Sequence, residues 1–171
     1  MIDVYIVLGI MAIMLSAWGI DKYRTTRKKN KLGTIIPFKE SIDLVGMPIV
    51  TFTNNGEKLH FLLDTGSDDS YIVPSILDKL LIINKVDIVD QIVTGGGSVE
   101  TFGEVTLNIS YKDYVFTNLF KINPMEDAFK QAFGDRSITV HGILGSIFFN
   151  KYNYILDFKE LQATSSYGNK E

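Results

Sequence analysis

The sequence predicts an all-β domain with a few short helices, preceded by one N-terminal transmembrane helix. Three observations indicate this: an uncharged apolar run near the N-terminus, several short apolar segments after it, and turn residues between those segments. The length of 171 residues suits one domain with an appendage. A hydrophobic content of 46% excludes a mainly disordered chain.

The N-terminal element is expected to be a membrane anchor within residues 1–20. Residues 4–20 carry no charge, and as a helix they would span about 25 Å, enough for a thin bilayer. Tyr5 and Trp18 lie near the two ends, where aromatic rings favour the membrane interfaces. A cleavable signal peptide is the alternative, but it would need a basic start and a small-residue cleavage site, and neither is present. We therefore expect residues 4–20 to contact the lipid bilayer.

The charge distribution predicts which side of the membrane the domain occupies. Residues 21–31 hold six Lys or Arg and one Asp, whereas residues 32–171 hold eleven Lys or Arg and eighteen Asp or Glu. Because basic flanks stay on the cytoplasmic side, we expect a single-pass membrane protein with a cytoplasmic domain. Residues 21–34 form the basic linker, which could also bind anionic lipid headgroups. The acidic domain makes nucleic acid a poor partner.

The predicted β-domain spans residues 35–163, and residues 164–171 are a polar tail. Asn54-Asn55-Gly56 predicts a tight hairpin turn between the first two strands. Pro74 opens a short helix, and a third helix follows Gly145. A second helix is predicted with Asn123 as its N-cap, Pro124 as its first residue and Gly134 at its end. Strands are predicted at 47–53, 58–63, 104–110, 114–122 and 152–158.

The composition narrows the chemistry that the domain could perform. The chain has no cysteine and two histidines. Thiol nucleophiles, zinc ribbons and cysteine-ligated iron–sulfur clusters are therefore excluded, and a histidine-rich metal site is not expected. We expect no metal and no other cofactor.

Two segments carry the candidate chemistry. In the first, an apolar strand runs directly into Asp64-Thr65-Gly66-Ser67. Gly66 permits a tight turn, and neighbouring amides and hydroxyls can orient the Asp64 carboxylate. About eighty residues later the chain reads Ile143-Leu144-Gly145, followed by a short helix and the strand-like 154–158.

Together these segments resemble the retropepsin-like aspartic proteases, the single-domain relatives of retroviral proteases. The resemblance covers residues 35–163 and implies a closed β-barrel equivalent to one half of an acid protease, with aspartic endopeptidase activity. It identifies Asp64 as the catalytic aspartate, with Thr65 and Gly66 completing the motif. Thr65 would link the two active-site loops of a dimer.

The resemblance also implies where substrate binds. The Ser67 hydroxyl would hydrogen-bond the catalytic carboxylate, and Asp68 and Asp69 would meet the substrate backbone. Ser146-Ile147 follows Gly145, where retroviral enzymes carry an Arg-Asn pair that braces the dimer, so the bracing must differ. Apolar subsites are expected near Ile72, Val93 and Ile143. The implied substrate-binding residues are Ser67, Asp68, Asp69, Gly95, Gly96, Gly97 and Ile143.

The glycine triplet at residues 95–97 lies between strand-like arms at 89–93 and 99–102. Its place between the two motifs matches the flap of the family, a hairpin that closes over substrate. A flexible loop without a role is one alternative. Phosphate binding is another, but no Gly-Lys-Ser/Thr follows the triplet.

One Asp-Thr-Gly motif implies two copies of the chain. Hydrolysis by this chemistry needs two close carboxylates that share a proton. Asp157 lacks the loop and is interpreted as structural. We therefore expect a homodimer with Asp64 of each subunit at the two-fold axis, acting on a peptide or protein substrate.

Alternative interpretations come from other classes of protein. A catalytically inactive relative could serve as a tethered peptide-binding or dimerisation module. A phosphate loop of the actin-like ATPase type is a second alternative, but it would need a much longer chain and further motifs. A third is an anchored scaffold without catalytic function, in which the matching order of the motifs would be a coincidence. Within the protease interpretation, residues 31–39 could be cleaved by the enzyme itself to release the domain.

Overall fold

The structure, a computed structural model, describes residues 33–87, 90–94, 97–101, 103–134 and 138–165. For residues 90–94 and 97–101 it describes the backbone alone. The predicted anchor and the flap glycines Gly95 and Gly96 lie outside these ranges. Within the described ranges, no helix combines the length and apolar character needed to cross a bilayer.

Most of the described chain is β-structure with short helices, which confirms the predicted class. The helices are α1 (Lys39–Val45), a 3-10 helix (Pro74–Lys79), α2 (Glu126–Phe133) and α3 (Ser146–Lys151). The strands are β1 (Ile35–Pro37), β2 (Ile49–Asn54), β3 (Glu57–Leu63), β4 (Tyr71–Ile72), β5 (Ile82–Val86), β6 (Asp90–Thr94), β7 (Gly97–Thr101), β8 (Glu104–Tyr111), β9 (Tyr114–Ile122), β10 (Gly142–Leu144), β11 (Tyr154–Asp157) and β12 (Gln162–Ser165).

Six strands close into a ring. The large sheet has the order β2-β3-β10-β4-β9-β8-β5, and an additional pairing of β2 with β8 joins its two sides. That pairing is Thr53 opposite Ser110. β5 stays outside the ring as an edge strand, while β1, β12 and β11 form a separate three-stranded sheet.

The ring encloses an aromatic and aliphatic core, as the alternating sequence predicts. Val105, Leu107 and Ile109 on β8 are all fully buried. Phe52 on β2 is 1% exposed and makes edge-to-face contacts with Phe61 and several other rings. The predicted hairpin turn is also confirmed, because Asn55 and Gly56 both have positive φ between β2 and β3.

The start of the second helix was predicted wrongly. Helix α2 begins at Glu126 with Met125 as its N-cap, and neither Asn123 nor Pro124 is helical. The Asn123 amide instead donates to the Ile72 carbonyl, so this residue continues the pairing of β9 with β4. A tertiary hydrogen bond therefore replaces the capping role that its local sequence suggests.

Both ends of the predicted domain are more ordered than the sequence indicates. Thr164 and Ser165, assigned to the polar tail, belong to β12, which lies between β1 and β11. Thr34, assigned to the linker, is 2% exposed and its carbonyl accepts the Ser165 amide. Self-cleavage within residues 34–38 would first require β1 to leave this sheet, because proteases bind extended, accessible chain.

Two stacked histidines, His60 in the middle of β3 and His141 just before β10, join these strands. The rings of His60 and His141 lie 5.5 Å apart. The His60 amide donates to Nδ1 of His141 at 3.1 Å, and the His141 amide donates to the His60 carbonyl at 2.8 Å. Because its Nδ1 accepts a hydrogen bond, neutral His141 carries its hydrogen on Nε2.

The histidine pair should make the domain less stable in mild acid. Burial is the largest cause that lowers the pKa of both side chains. The charge of Lys58 lowers the pKa of His60 further. The pKa of His141 is lowered further by His60 and Lys79, and Glu57 has a smaller opposite effect. Since the folded state binds fewer protons than the unfolded state, stability is complete above about pH 6.5 and is lost as the pH falls towards the lowered values.

Urea unfolding between pH 7.5 and 5.5 measures this effect. We expect the midpoint to fall with pH, and His141→Gln, which keeps an acceptor, to reduce the slope by roughly half. A midpoint that is equally pH-dependent in the variant would assign the slope to other groups.

Candidate active site

Asp64 lies where β3 ends, at one end of two parallel strands. Residues Phe61 to Leu63 of β3 pair with Gly142 to Leu144 of β10. The pairing continues for one residue beyond β3, because the Asp64 amide donates to the Leu144 carbonyl at 3.1 Å. Phe61 and Leu63 are buried, whereas Asp64 is partly exposed. The carboxylate therefore emerges from the rigid ring at its surface.

The loop after β3 orients the Asp64 carboxylate. The Gly66 amide donates to Oδ1 at 2.9 Å, and the Ser67 amide donates to the Asp64 carbonyl at 3.3 Å. A side chain at position 66 would place its Cβ 3.3 Å from that same Oδ1, so the carboxylate would have to shift by a few tenths of an ångström. Among the described residues, only the Gly66 amide bonds the carboxylate. Its second oxygen is available to water or to a second carboxylate.

The segment after β10 packs against this loop through backbone hydrogen bonds. The Ser146 amide donates to the Ser67 carbonyl at 2.7 Å, and the Ile147 amide donates to the Asp68 carbonyl at 3.1 Å. At Gly145 a Cβ would stand 2.1 Å from the Asp69 carbonyl oxygen. The first turn of α3 and the aspartate loop are thus in backbone contact. At the two positions after Gly145, Ser146 and Ile147 therefore contact the aspartate loop through their backbone amides.

The Ser67 hydroxyl does not bond the Asp64 carboxylate as expected. It donates to the Asp69 carbonyl at 2.9 Å. The turn of the chain brings this carbonyl within reach, so the hydroxyl stabilises the loop internally. Thr65 is exposed beside Asp64, a position from which it could meet a second subunit.

A residue that the sequence analysis missed neutralises Asp69. Lys121 on β9 places its Nζ 2.8 Å from Asp69 Oδ2, and each side chain is about a quarter exposed. The hydrogen bond to Asp69 raises the pKa of Lys121. Asp68 remains exposed and has no ion pair among the described residues. Of the two acidic positions, Asp68 is the one whose carboxylate is free to meet a substrate backbone.

The proposed apolar subsites are largely core residues. Ile143 is 7% exposed and Ile72 is fully buried, because β10 lies between β3 and β4 in the ring. Ile143 and Ile72 are therefore core residues of the described chain. The side chain of Val93 lies outside the described part of the molecule.

The expected flap arms do form a hairpin. β6 and β7 pair antiparallel from Asp90 opposite Thr101 to Thr94 opposite Gly97. Gly97 begins β7, while Gly95 and Gly96 fall outside the described residues. The role of the hairpin as a flap stays a prediction.

Asp157 is structural, in agreement with its interpretation from sequence. Its Oδ1 accepts the amides of Lys159 and Glu160 at 2.9 and 3.0 Å. The carboxylate therefore stabilises the turn between β11 and β12. One chain supplies one Asp-Thr-Gly loop, and Asp157 is no substitute for a second.

Comparison with known proteins gives likenesses in structure only. No family model and no curated protein matches the sequence. The chain is similar to the EIAV protease in complex with the inhibitor HBY-793, with 23% identity, a TM-score of 0.49, and coverage of 66% of this chain and 93% of that one. It is also similar to the retroviral protease-like domain of Ddi1 from Leishmania major, with 13% identity, a TM-score of 0.47, and coverage of 70% and 87%. We base the functional proposal on the residues of the site.

Proposed function

We propose that this protein is an aspartic endopeptidase that works as a homodimer, with Asp64 of each subunit at the two-fold axis. The observation that carries the proposal is the geometry of Asp64. Its carboxylate accepts a hydrogen bond from the Gly66 amide, and the loop that contains it packs closely against Gly145 and the first turn of α3. An oriented, partly exposed carboxylate with one free oxygen is what water activation requires.

The mechanism needs both subunits. Two adjacent carboxylates cannot both ionise cheaply, so one holds a proton. The ionised Asp64 takes a proton from a bound water, which attacks the peptide carbonyl, while the protonated partner donates to the carbonyl oxygen. The Asp64 that took the water's proton then donates it to the departing amine, and its partner takes a proton back from the diol intermediate as the C–N bond breaks and the carbonyl re-forms.

The exposed position of the site supports its assembly from two chains. A cleft of about 570 Å³ lies between the 3-10 helix, α2 and residues 138–141, and the aspartate loop contributes nothing to its lining. Asp64 instead stands on the surface of a single chain, so a second copy is needed to enclose a substrate. The β6–β7 hairpin supplies an edge on which an extended peptide could add as a strand.

The proposal includes tethering to a membrane by residues 4–20, with the domain in the cytoplasm. The uncharged run and the six basic residues that follow it support this topology. Anchoring confines two chains to one surface and so raises their effective concentration. Substrates would then be membrane proteins or cytoplasmic chains that approach the membrane.

Cleavage of a peptide library by the full-length chain in lipid nanodiscs tests the function. We expect cleavage of extended peptides at apolar positions, inhibition by pepstatin, and no cleavage by Asp64→Asn. Mass spectrometry of the fragments would define the subsites. A dimer with an intact Asp64 that cleaves no library member would contradict the proposal and favour a peptide-binding module.

A further inference from the structure

The cleft between the 3-10 helix, α2 and residues 138–141 has the size of a small-molecule site. Its volume is about 570 Å³, and ligand pockets usually measure about 300–1,000 Å³. The described lining includes none of residues 64–69 of the aspartate loop. Five apolar side chains line the cleft: Val73, Ile76, Phe129, Ile138 and Val140. An apolar lining with a few polar groups is typical of sites that bind a small organic molecule.

Charged side chains also line the cleft, and their sum is positive. Lys79 ends the 3-10 helix and Lys130 lies on α2, and both are exposed. Neither forms an ion pair among the described residues. Glu126 is the one acidic residue of the described lining, and its Oε1 already accepts the Ser75 amide at 3.3 Å. Two lysines and one glutamate leave a formal charge of +1.

His141 adds a hydrogen-bond donor to this lining. Its Nδ1 accepts the His60 amide at 3.1 Å, so the neutral ring carries its hydrogen on Nε2. That N–H has no hydrogen-bond partner among the described residues. After burial and His60, the charge of Lys79 is the next cause that lowers the pKa of His141, so the ammonium is close enough to interact with the ring. The two groups are therefore suited to bind one anionic group together.

The charge and the lining define the chemistry of the ligand. A monoanion neutralises one positive charge, whereas a phosphate monoester carries about −1.5 to −2 and would leave an excess of negative charge. A carboxylate accepts hydrogen bonds from both an imidazole N–H and an ammonium group. The apolar lining would be left in contact with water by a small polar ion, so the ligand needs an apolar body.

We propose that this cleft binds a small monocarboxylate with an apolar body. The carboxylate accepts hydrogen bonds from Lys79 and from Nε2 of His141, and the body packs against Phe129 and Ile138. A fatty acyl chain and the apolar C-terminal residue of a peptide both present this chemistry. The inference does not depend on the proposed function, because Asp64 takes no part in it.

Equilibrium dialysis tests the site with the full-length chain in lipid nanodiscs. The probe is radiolabelled octanoate, and empty nanodiscs of the same lipid composition give the blank. We expect saturable binding of one octanoate per chain, with an affinity that rises about fourfold for each CH2 between hexanoate and octanoate. Octanamide, which has the same shape without the charge, should compete at least about fivefold more weakly.

Competition by N-acetylleucine distinguishes the two sources of the ligand. It carries a carboxylate next to an apolar side chain, as a peptide C-terminus does. A lower Kd for N-acetylleucine than for octanoate would identify a peptide terminus, and the reverse order would identify an acyl chain. Either order supports the proposed carboxylate site.

Three single substitutions test the assigned residues with opposite signs. Lys79→Gln should raise the Kd for octanoate about fivefold, the upper end for an exposed ion pair. Glu126→Gln should lower it by up to about fivefold, because it removes a like charge and keeps an acceptor for the Ser75 amide. Lys159→Gln is the matched control, an exposed lysine outside the described lining, and should leave the Kd unchanged. Urea unfolding would check that each variant is folded.

Several results would overturn the proposed site. Equal binding of octanoate and octanamide would show that the charge is not recognised. Equal effects of Lys79→Gln and Lys159→Gln would show that the charged lining of the cleft is not involved. The absence of saturable binding of both carboxylates up to about 10 mM would refute the site as a whole.

Discussion

Asp64→Asn should reduce peptide hydrolysis by at least about 10³-fold, because it removes the group that, in the proposed mechanism, exchanges protons with water and substrate. Asparagine has nearly the same shape as aspartate, and its side-chain oxygen can still accept the Gly66 amide that Oδ1 accepts at 2.9 Å. Fold and loop geometry should therefore be retained. Circular dichroism and urea unfolding would check this beside the cleavage assay.

The same variant can show that two copies of Asp64 act together. If equal amounts of wild-type and Asp64→Asn chains exchange freely, about one quarter of the dimers carry two aspartates. We expect activity to fall to about that fraction, against about one half for an enzyme that works as a monomer. Dimerisation should not weaken, since the variant removes repulsion between two close carboxylates. A half-loss of activity would contradict the shared site.

Gly145→Ala is expected to damage both stability and activity. Its Cβ would lie 2.1 Å from the Asp69 carbonyl oxygen and 2.7 Å from that of Ser67. Both are backbone atoms of the loop that follows Asp64, so the loop must move. The free energy of unfolding should fall by about 3 kcal/mol or more, at or above the upper end of the usual range for overpacking. Displacing the loop should also reduce cleavage by about 10²-fold, because misplacement of about 1 Å has that effect.

Gly134→Ala is the matched control. Among the described residues, its Cβ would meet only the flexible Lys130 side chain, at 3.5 Å, and its backbone is already helical. We expect no loss of stability and a gain of up to about 1 kcal/mol. Urea unfolding of both variants, beside peptide cleavage, makes the comparison. A Gly145→Ala chain as stable and as active as the wild type would refute the close support of the loop.

Local patterns predicted the elements whose signals lie within a few residues. The alternation of Val105, Leu107 and Ile109 predicted one buried face of β8, and the positive φ angles of Asn55 and Gly56 match their turn signal. Short elements without such signals were not predicted. β1 and β12 exist because each pairs with a strand distant in sequence, and neither has an alternating pattern of its own.

The candidate site also contains residues that local patterns predicted and residues that they did not. The order of residues identified Asp64, Thr65 and Gly66 as one loop, because a strand that ends in Asp-Thr-Gly is a local feature. Lys121 lies 52 residues from Asp69, and no local pattern connects the two. The local sequence also could not show that the Ser67 hydroxyl donates to the Asp69 carbonyl and not to the Asp64 carboxylate.

By itself, the sequence determined the β class, the aspartate motif and the presence of one such motif per chain. These follow from side-chain periodicity and from residue identity, which are local properties. Only the tertiary structure decided that Ile143 is core, that Lys121 neutralises Asp69, and that Ile155 on β11 is exposed. Each depends on which distant strands become neighbours, and that is decided by closing the ring around a common core.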